Sequence, residues 1–324
     1  MKKILVTGAS GFIGKALCNR LFKSHYITYG VVRNSSAQLI DNKFNKILIN
    51  EINSNTNWKN VLNNINCIVH CAGIAHNMNK NNNLNFYRST NLDGTKYLAE
   101  QAAEAGVKKL IFLSSIKVNG EYTDDKYDKS ISSYQKKNSF THVDPPNPTD
   151  PYSISKLEAE KVLYEIYAKT GLETVILRLP LVYGKNVKGN LARLIRLVKS
   201  GIPLPFGNIA NQRSMIGIDN LVDLLIHCIE HQNAAGKTFL VSDGEDLSTS
   251  DLIKLISSLM GKKARLFSLP IILLKFVAII FRKEQEINRL IRSLRVDHTY
   301  TQKILNWKPP VTVEEGIRRM IQDK

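Results

Sequence analysis

Tyr152 and Lys156 stand four residues apart just after Asp150 and Pro151, so on a helix both side chains lie on one face and reach one cleft. A phenol with a pKa of about 10 exchanges protons poorly at neutral pH, and a neighbouring ammonium favours the phenolate. The pair suits proton transfer, with Lys156 tuning Tyr152. Ser114 and Ser115 close the apolar run that starts at Lys109, which brings hydroxyls to the C-terminal end of a strand, the edge of an open parallel sheet where ligands sit. The third group is KILVTGASGFIG, residues 3–14. Ile4, Leu5 and Val6 read as a buried strand, and Gly8, Gly11 and Gly14 precede a helical pattern. Gly8 permits the tight turn, Gly11 the approach of a pyrophosphate, and Gly14 the close packing of helix on strand. Backbone N–H groups of that helix start then face phosphates. These groups together describe proton transfer beside a bound nucleotide.

The elements that must position them follow in order. Ala16, Leu17, Leu21 and Phe22 make one apolar helix face, and a second strand runs from Ile27 to Val32. A site for NAD usually ends this strand with Asp or Glu on the ribose hydroxyls, whereas this chain has Val32, Arg33, Asn34, Ser35. Arg33 suits a 2′-phosphate, so NADP is expected ahead of NAD. A third strand, Lys46 to Ile49, leads to Glu51 for the adenine. A fourth, Ile65 to His70, ends in Cys71, Ala72 and Gly73, small residues where a strand end must approach a cofactor. Asn77 to Asn85 reads as a mobile polar loop; Asn91 then begins NLDGT, followed by an amphipathic helix through Ala105. The polar stretch Glu121 to Asp144 is read as an idle loop rather than a cover over the site. Asp150 is placed to cap the helix carrying Tyr152. Strands Thr174 to Leu179 and Thr238 to Val241, and a helix Ser250 to Met260 capped by Ser248, complete the pattern.

At 324 residues the chain has room for two lobes. Its formal charge of +17 invites a nucleic-acid reading, but Lys and Arg are scattered with no run of four; the reading is set aside, while an anionic substrate is favoured. Cys18, Cys67, Cys71 and Cys228 form no CxxC pair, so reduced, mostly buried thiols are expected and no metal site. The N-terminus enters a strand directly, without a signal-peptide pattern, which places the protein in the cytoplasm. The most apolar stretch, Leu266 to Phe281, is too short to span a bilayer, which takes about 20 residues. It reads as a core helix, with peripheral contact at the inner membrane surface as the alternative.

From Lys3 to about Met320 the sequence resembles the extended short-chain dehydrogenases/reductases of the NAD-dependent epimerase/dehydratase family. Gly8, Gly11 and Gly14 match the family's glycine motif, Ser115 its catalytic serine, Tyr152 and Lys156 its tyrosine and lysine, and Asn91 its structural asparagine. Arg178, Pro180, Tyr183 and Gly184 match its RxPxxYG. The resemblance implies an α/β fold: a Rossmann-type, doubly wound parallel sheet over residues 1–178, and a smaller C-terminal substrate-binding lobe over 179–324, partly interleaved with it. It further implies that Ser10, Phe12, Ile13, Ile52, Cys71, Ala72, Gly73, Asn91 and Pro180 line the cofactor with the glycines, Arg33 and Glu51. Lys156 would also bind the nicotinamide ribose. Ser115, Lys117, Asn190 and Arg213 would meet a UDP-sugar, Arg292 or Arg295 adding a second charge for the diphosphate. A homodimer is expected.

Dehydratases of this kind carry an Asp-Glu pair after the catalytic serine, where this chain has Ile116 and Lys117, so a dehydratase is not expected. SSIKVNGE, QRSMIGIDNLVD and LVSDGEDLST are similar to bacterial enzymes of surface-polysaccharide synthesis that act at C4 of UDP-N-acetylhexosamines. The first expectation is therefore reduction of a UDP-4-keto-6-deoxy-N-acetylhexosamine. The second is 4-epimerisation of UDP-N-acetylglucosamine or UDP-glucose with tightly held NAD, and the third a non-catalytic NADP-binding sensor.

Overall fold

The computed structural model describes residues 1–33, 44–75, 83–123 and 139–322. Its strands are β1 (Lys3–Thr7), β2 (Ile27–Val32), β3 (Asn45–Leu48), β4 (Cys67–His70), β5 (Lys109–Ser115), β6 (Glu173–Leu179), β7 (Leu181–Tyr183), β8 (Met215–Gly217) and β9 (Lys237–Leu240). Seven form one sheet in the order β3-β2-β1-β4-β5-β6-β9, and β7 pairs with β8. Every pairing is parallel. This is the doubly wound parallel sheet expected from the sequence.

A parallel sheet must be covered on both faces, and the strand sequences supply both. Ile4 and Val6, Cys67 and Val69, Ile111 and Leu113 point to one layer, and Leu5, Ile68, Leu110 and Phe112 to the other. The first layer is closed by α1 (Phe12–Lys23), through Leu17, Cys18 and Leu21. The second is closed by helices beyond α2 (Leu84–Arg88): α3 (Gly94–Glu104), with Leu98 and Ala102, and α4 (Pro151–Thr170), with Ala159 and Leu163. The remaining helices are α5 (Gly189–Ser200), α6 (Ile218–Glu230), α7 (Thr249–Leu259), α8 (Ile271–Ile280), α9 (Glu284–Ile291), α10 (Thr299–Leu305) and α11 (Val313–Ile321). From these, Leu221, Leu224 and Leu225 of α6 and Leu305 of α10 return to the first layer, while α5, α7 and α11 surround a separate core containing Tyr183, Leu194, Ile253 and Ile317. Cys18, Cys67 and Cys228 are buried free thiols and Cys71 is half-buried.

Several expectations need correction. Strand bounds move by one or two residues at β3, β4, β6 and β9. Residues 77–82 of the expected polar loop lie outside the described residues, but its end is helical: Asn83 caps α2, its side chain accepting from Asn85 N at 2.9 Å. The helix expected after NLDGT is α3, and the NLDGT stretch itself lies largely in a π-helical turn, Ser89–Asp93, that runs on from α2 into α3. Of the Glu121 to Asp144 stretch, residues 124–138 lie outside the described residues. The apolar stretch Leu266 to Phe281 is not a core helix. Leu266 and Ser268 are extended and bridge to Leu204 and Phe206, Pro270 starts α8, and of α8 only Leu274 and Ala278 are buried. Hydrophobicity alone predicted burial there; the helix packs through one narrow stripe and leaves the rest outside. No helix among the described residues is long and apolar enough to cross a membrane.

Candidate active site

The strand order reverses between β1 and β4, and the loops leaving their C-terminal ends form the crevice where open α/β sheets bind ligands. Gly8 leaves β1 with φ +66, and a Cβ there would lie 2.9 Å from Ala72 N in the loop after β4. A Cβ on Gly14 would lie 2.2 Å from Gly8 O. Both contacts are with backbone, so only glycine allows this turn to close on its helix. Gly11 is the N-cap of α1; no side chain caps that end and its first turn holds no acid. The N–H groups of Phe12 and Ile13 therefore face outward at the positive end of the helix dipole.

Ser115 ends β5, and Tyr152 is the second residue of α4. Asp150 fixes that helix start: its carboxylate accepts from Ser153 N at 2.7 Å and the Ser153 hydroxyl accepts from Asp150 N at 3.2 Å, a reciprocal cap worth about 1 kcal/mol. Lys117, in the turn after β5, holds Asp150 Oδ2 at 2.5 Å and also reaches Glu121 at 3.5 Å. Serine and tyrosine are thus tied together through the two elements that carry them. Burial pushes the Tyr152 phenol up to about 12, opposed by its hydrogen bond with Ser115. Asp150 and Tyr87 push it further the same way, and Tyr87 packs edge-on against its ring at 6.3 Å.

Lys156 lies one turn further along α4. Its Nζ donates to Leu113 O at 2.9 Å, lies 4.3 Å from the Phe112 ring centroid, and stands 3.1 Å from where a Cβ on Gly73 would be. Burial pulls it down to about 8, partly offset by Glu160. The spacing alone predicts that Lys156 acts on the phenol directly. In the structure the groups acting on Tyr152 are Ser115, Asp150 and Tyr87, because the ammonium turns toward the β5 carbonyl and the loop after β4. Asn91 sits in the π-helical turn: its Oδ1 accepts from Ile74 N at 2.8 Å, while its Nδ2 donates to Ile74 O at 3.1 Å and Ser155 Oγ at 3.0 Å. It fastens the loop holding Gly73 to the helix holding Lys156.

Three groups supporting this site were not singled out from the sequence. Glu160 continues the spacing of Tyr152 and Lys156 on α4, accepts from the Ser114 hydroxyl, and is held by Arg178 at 2.6 Å. Arg178 also donates to Asn119 Oδ1 at 2.9 Å. The repeated four-residue interval was the signal that could have found Glu160. His70 lies at the end of β4 between Thr7 Oγ1 at 2.7 Å and Thr95 Oγ1 at 3.1 Å. Thr95 gives its hydroxyl proton to Asn91 O at 2.7 Å, so it must accept from His70 Nε2–H, and Nδ1 accepts from Thr7. Burial, with Lys156 nearby, lowers His70 to about 3, and the ring is a neutral strut between β1, β4 and α3. Asp243 is the third: it accepts from Tyr183 Oη at 2.7 Å, Gly217 N at 2.9 Å and Asn220 Nδ2 at 2.8 Å.

The other sequence-derived residues fall as follows. Ser10 is exposed in the glycine turn, and Arg33 is exposed directly after β2. Glu51 is exposed and accepts from Asn53 Nδ2 at 3.1 Å, while the Ile52 side chain packs into the core beneath Gly94. Pro180 is buried between β6 and β7, and Asn190 is exposed in the first turn of α5. Arg213 donates to Arg292 O at 3.1 Å, and the Arg292 guanidinium lies 4.2 Å over the Tyr122 ring. Arg295 is instead paired with Asp246 at 2.8 Å. Of the two arginines considered for a second charge, Arg292 is therefore the one beside Arg213.

The model of the NAD-dependent epimerase/dehydratase family matches residues 4–242. A UDP-glucose 4-epimerase of Vibrio cholerae is 41% identical over 327 residues, covering 99% of this chain and 95% of that protein. The structure superposes on a UDP-glucuronic acid 4-epimerase of Bacillus cereus solved with NAD, at TM-score 0.75 and 23% identity over 98% of this chain and 97% of the other. It also superposes on a UDP-glucose 4-epimerase of Thermotoga maritima solved with UDP-glucose, at TM-score 0.74 and 21% identity over 99% and 97%. The chain belongs to the NAD-dependent epimerase/dehydratase family and is an enzyme of the extended short-chain dehydrogenase/reductase kind.

Proposed function

We propose that this enzyme inverts C4 of a UDP-linked hexose and keeps one NAD bound through the cycle. The observation that carries this reading is the 41% identity to a UDP-glucose 4-epimerase along nearly the whole of both chains. Read from the sequence alone, reduction comes first and epimerisation second; the relative reverses that order.

The residues at the crevice fit a dinucleotide. A Cβ at Gly8 or Gly14 would strike backbone, and the uncapped start of α1 offers outward N–H groups to phosphates. Gly8, Gly11 and Gly14, with the backbone of Ser10, Phe12 and Ile13, would hold the pyrophosphate. Cys71, Ala72, Gly73 and Pro180 would line the nicotinamide side, Glu51 and Ile52 the adenine side, and Lys156 would reach the ribose. The chemistry that NAD would supply there is reversible hydride transfer, taking hydride from C4 and returning it to the opposite face of the ketone. Tyr152 takes the proton from the C4 hydroxyl and, once the keto sugar has turned its other face to the nicotinamide side, gives it back to the same oxygen. Ser115 holds that oxygen and, through its hydrogen bond, keeps the phenol easier to ionise than burial alone allows. Arg213 and Arg292, with Asn190, would clamp the diphosphate.

Incubating the purified protein with UDP-glucose or UDP-N-acetylglucosamine, without added nicotinamide nucleotide, tests this. Appearance of the C4 epimer supports it; no epimer from either sugar refutes it. A second reading, reduction of a UDP-4-keto-6-deoxy-N-acetylhexosamine, rests on Arg33 at the end of β2, a position suited to a 2′-phosphate. It predicts stoichiometric consumption of added NADPH in preference to NADH.

A further inference from the structure

Helix α8 turns most of its apolar surface outward. Ile272 is 83% exposed, Phe276 59%, Ile280 60%, and Phe281, at its end, 67%. Phe267, just before it, is 47% exposed and extends the patch. Only Leu274 and Ala278, one turn apart, anchor the helix on the body. A monomeric soluble protein rarely exposes so continuous an apolar surface without a use for it.

The charges around the patch identify what covers it. Residues 261–283 contain six lysines and arginines and no aspartate or glutamate. Lys262, Lys263 and Arg265 precede α8, Lys275 lies within it, and Arg282 and Lys283 follow; all six are exposed. Acids stand on α9, which packs on α8: Glu286 takes Lys283 at 3.3 Å and Glu284 is exposed. A second copy of this chain is a poor occupant, because a two-fold contact sets the same patch against itself and brings like charges together. A surface carrying anionic headgroups over an apolar interior matches both the basic rim and the apolar face.

We propose that α8 and its flanks form a peripheral membrane-docking surface that lays the helix in the plane of an anionic bilayer. Ten residues make a helix about 15 Å long, too short to cross, so docking is shallow, reversible and weakened by salt. The proposal is independent of which sugar the active site turns over.

The test is flotation of the full-length protein with vesicles of phosphatidylcholine alone, or of phosphatidylcholine with one third phosphatidylglycerol, at low and high salt. Wild type is expected to float with the anionic vesicles and to be released by salt. The triple variant Ile272→Ser, Phe276→Ser, Ile280→Ser keeps both buried anchors and is expected to lose partitioning by on the order of a hundredfold, with turnover of a soluble sugar nucleotide unchanged. Should that variant misfold, Lys275→Glu with Arg282→Glu, which leaves every apolar side chain in place, is expected to remove the preference for anionic vesicles. No flotation of wild type, flotation of the triple variant equal to wild type, or no effect of charge reversal overturns the proposal. So does a change of oligomeric state in the triple variant by size-exclusion light scattering, which would assign the patch to a contact between copies.

Discussion

Lys156 is a charge held where it costs stability, and replacing it by methionine measures that cost. Its ordinary pKa of 10.5 falls to about 8 because the ammonium is buried at the base of the crevice. Each pKa unit corresponds to about 1.36 kcal/mol, so the penalty at neutral pH is about 3 kcal/mol. Below pH 8 both folded and unfolded chains carry the proton and the penalty is complete. Between 8 and 10.5 the unfolded chain binds more protons than the folded one, so wild-type stability rises with pH, and above 10.5 the penalty is gone. Methionine fills a similar volume without charge but gives up the bond to Leu113 O at 2.9 Å, about 1 kcal/mol. Lys156→Met is therefore expected to be more stable than wild type by about 2 kcal/mol at pH 7. The gain should vanish near pH 10 and become a deficit of about 1 kcal/mol by about pH 11, where only the lost bond to Leu113 O remains, and turnover should be lost throughout. Urea unfolding of cofactor-stripped protein over this pH range reads this out. A variant less stable than wild type at pH 7, or a difference that does not change with pH, refutes the reasoning.

Other expectations rest on the same geometry. Tyr152→Phe removes the proposed proton carrier and is expected to lower turnover by about 10²–10⁴-fold, with nucleotide retention, read by absorbance of the denatured protein's supernatant, unchanged. Ser115→Ala removes the hydrogen bond that lowers the Tyr152 pKa, so the alkaline rise in the turnover–pH profile should move to higher pH; an unmoved profile denies Ser115 that role. Arg178→Met strands Glu160, a buried carboxylate that Arg178 grips at 2.6 Å, and should cost about 3–5 kcal/mol in denaturant unfolding. Gly14→Ala sets a Cβ 2.2 Å from Gly8 O and is expected to release the bound nucleotide, measured as loss of nicotinamide in the purified protein.

The sheet was legible because its signals are local. Apolar runs such as Ile4 to Val6 and Lys109 to Ser115 identify buried strands, and Asp150, Pro151 and Gly171 punctuate α4 as a helix start and stop should. The glycine turn and the order of Ser115, Tyr152 and Lys156 were equally readable. What the sequence hid depends on where distant segments meet. The direction of the Lys156 ammonium is set by Leu113 O and the Gly73 loop, neither close to it in sequence. The choice of Arg292 over Arg295 beside Arg213 depends on an acid, Asp246, that claims the other. Hydropathy misplaced α8 for a related reason: composition reports how apolar a segment is, and only packing decides which side of it meets the body.

The central claim, that C4 is inverted by a hydride that leaves the sugar and returns to it within one bound complex, is tested by UDP-glucose carrying deuterium at C4, incubated in ordinary water without added nucleotide. Conversion to the C4 epimer is expected with the deuterium still on C4 in both sugars. Loss of the label to water would contradict it, as would conversion that requires added NAD(P)H.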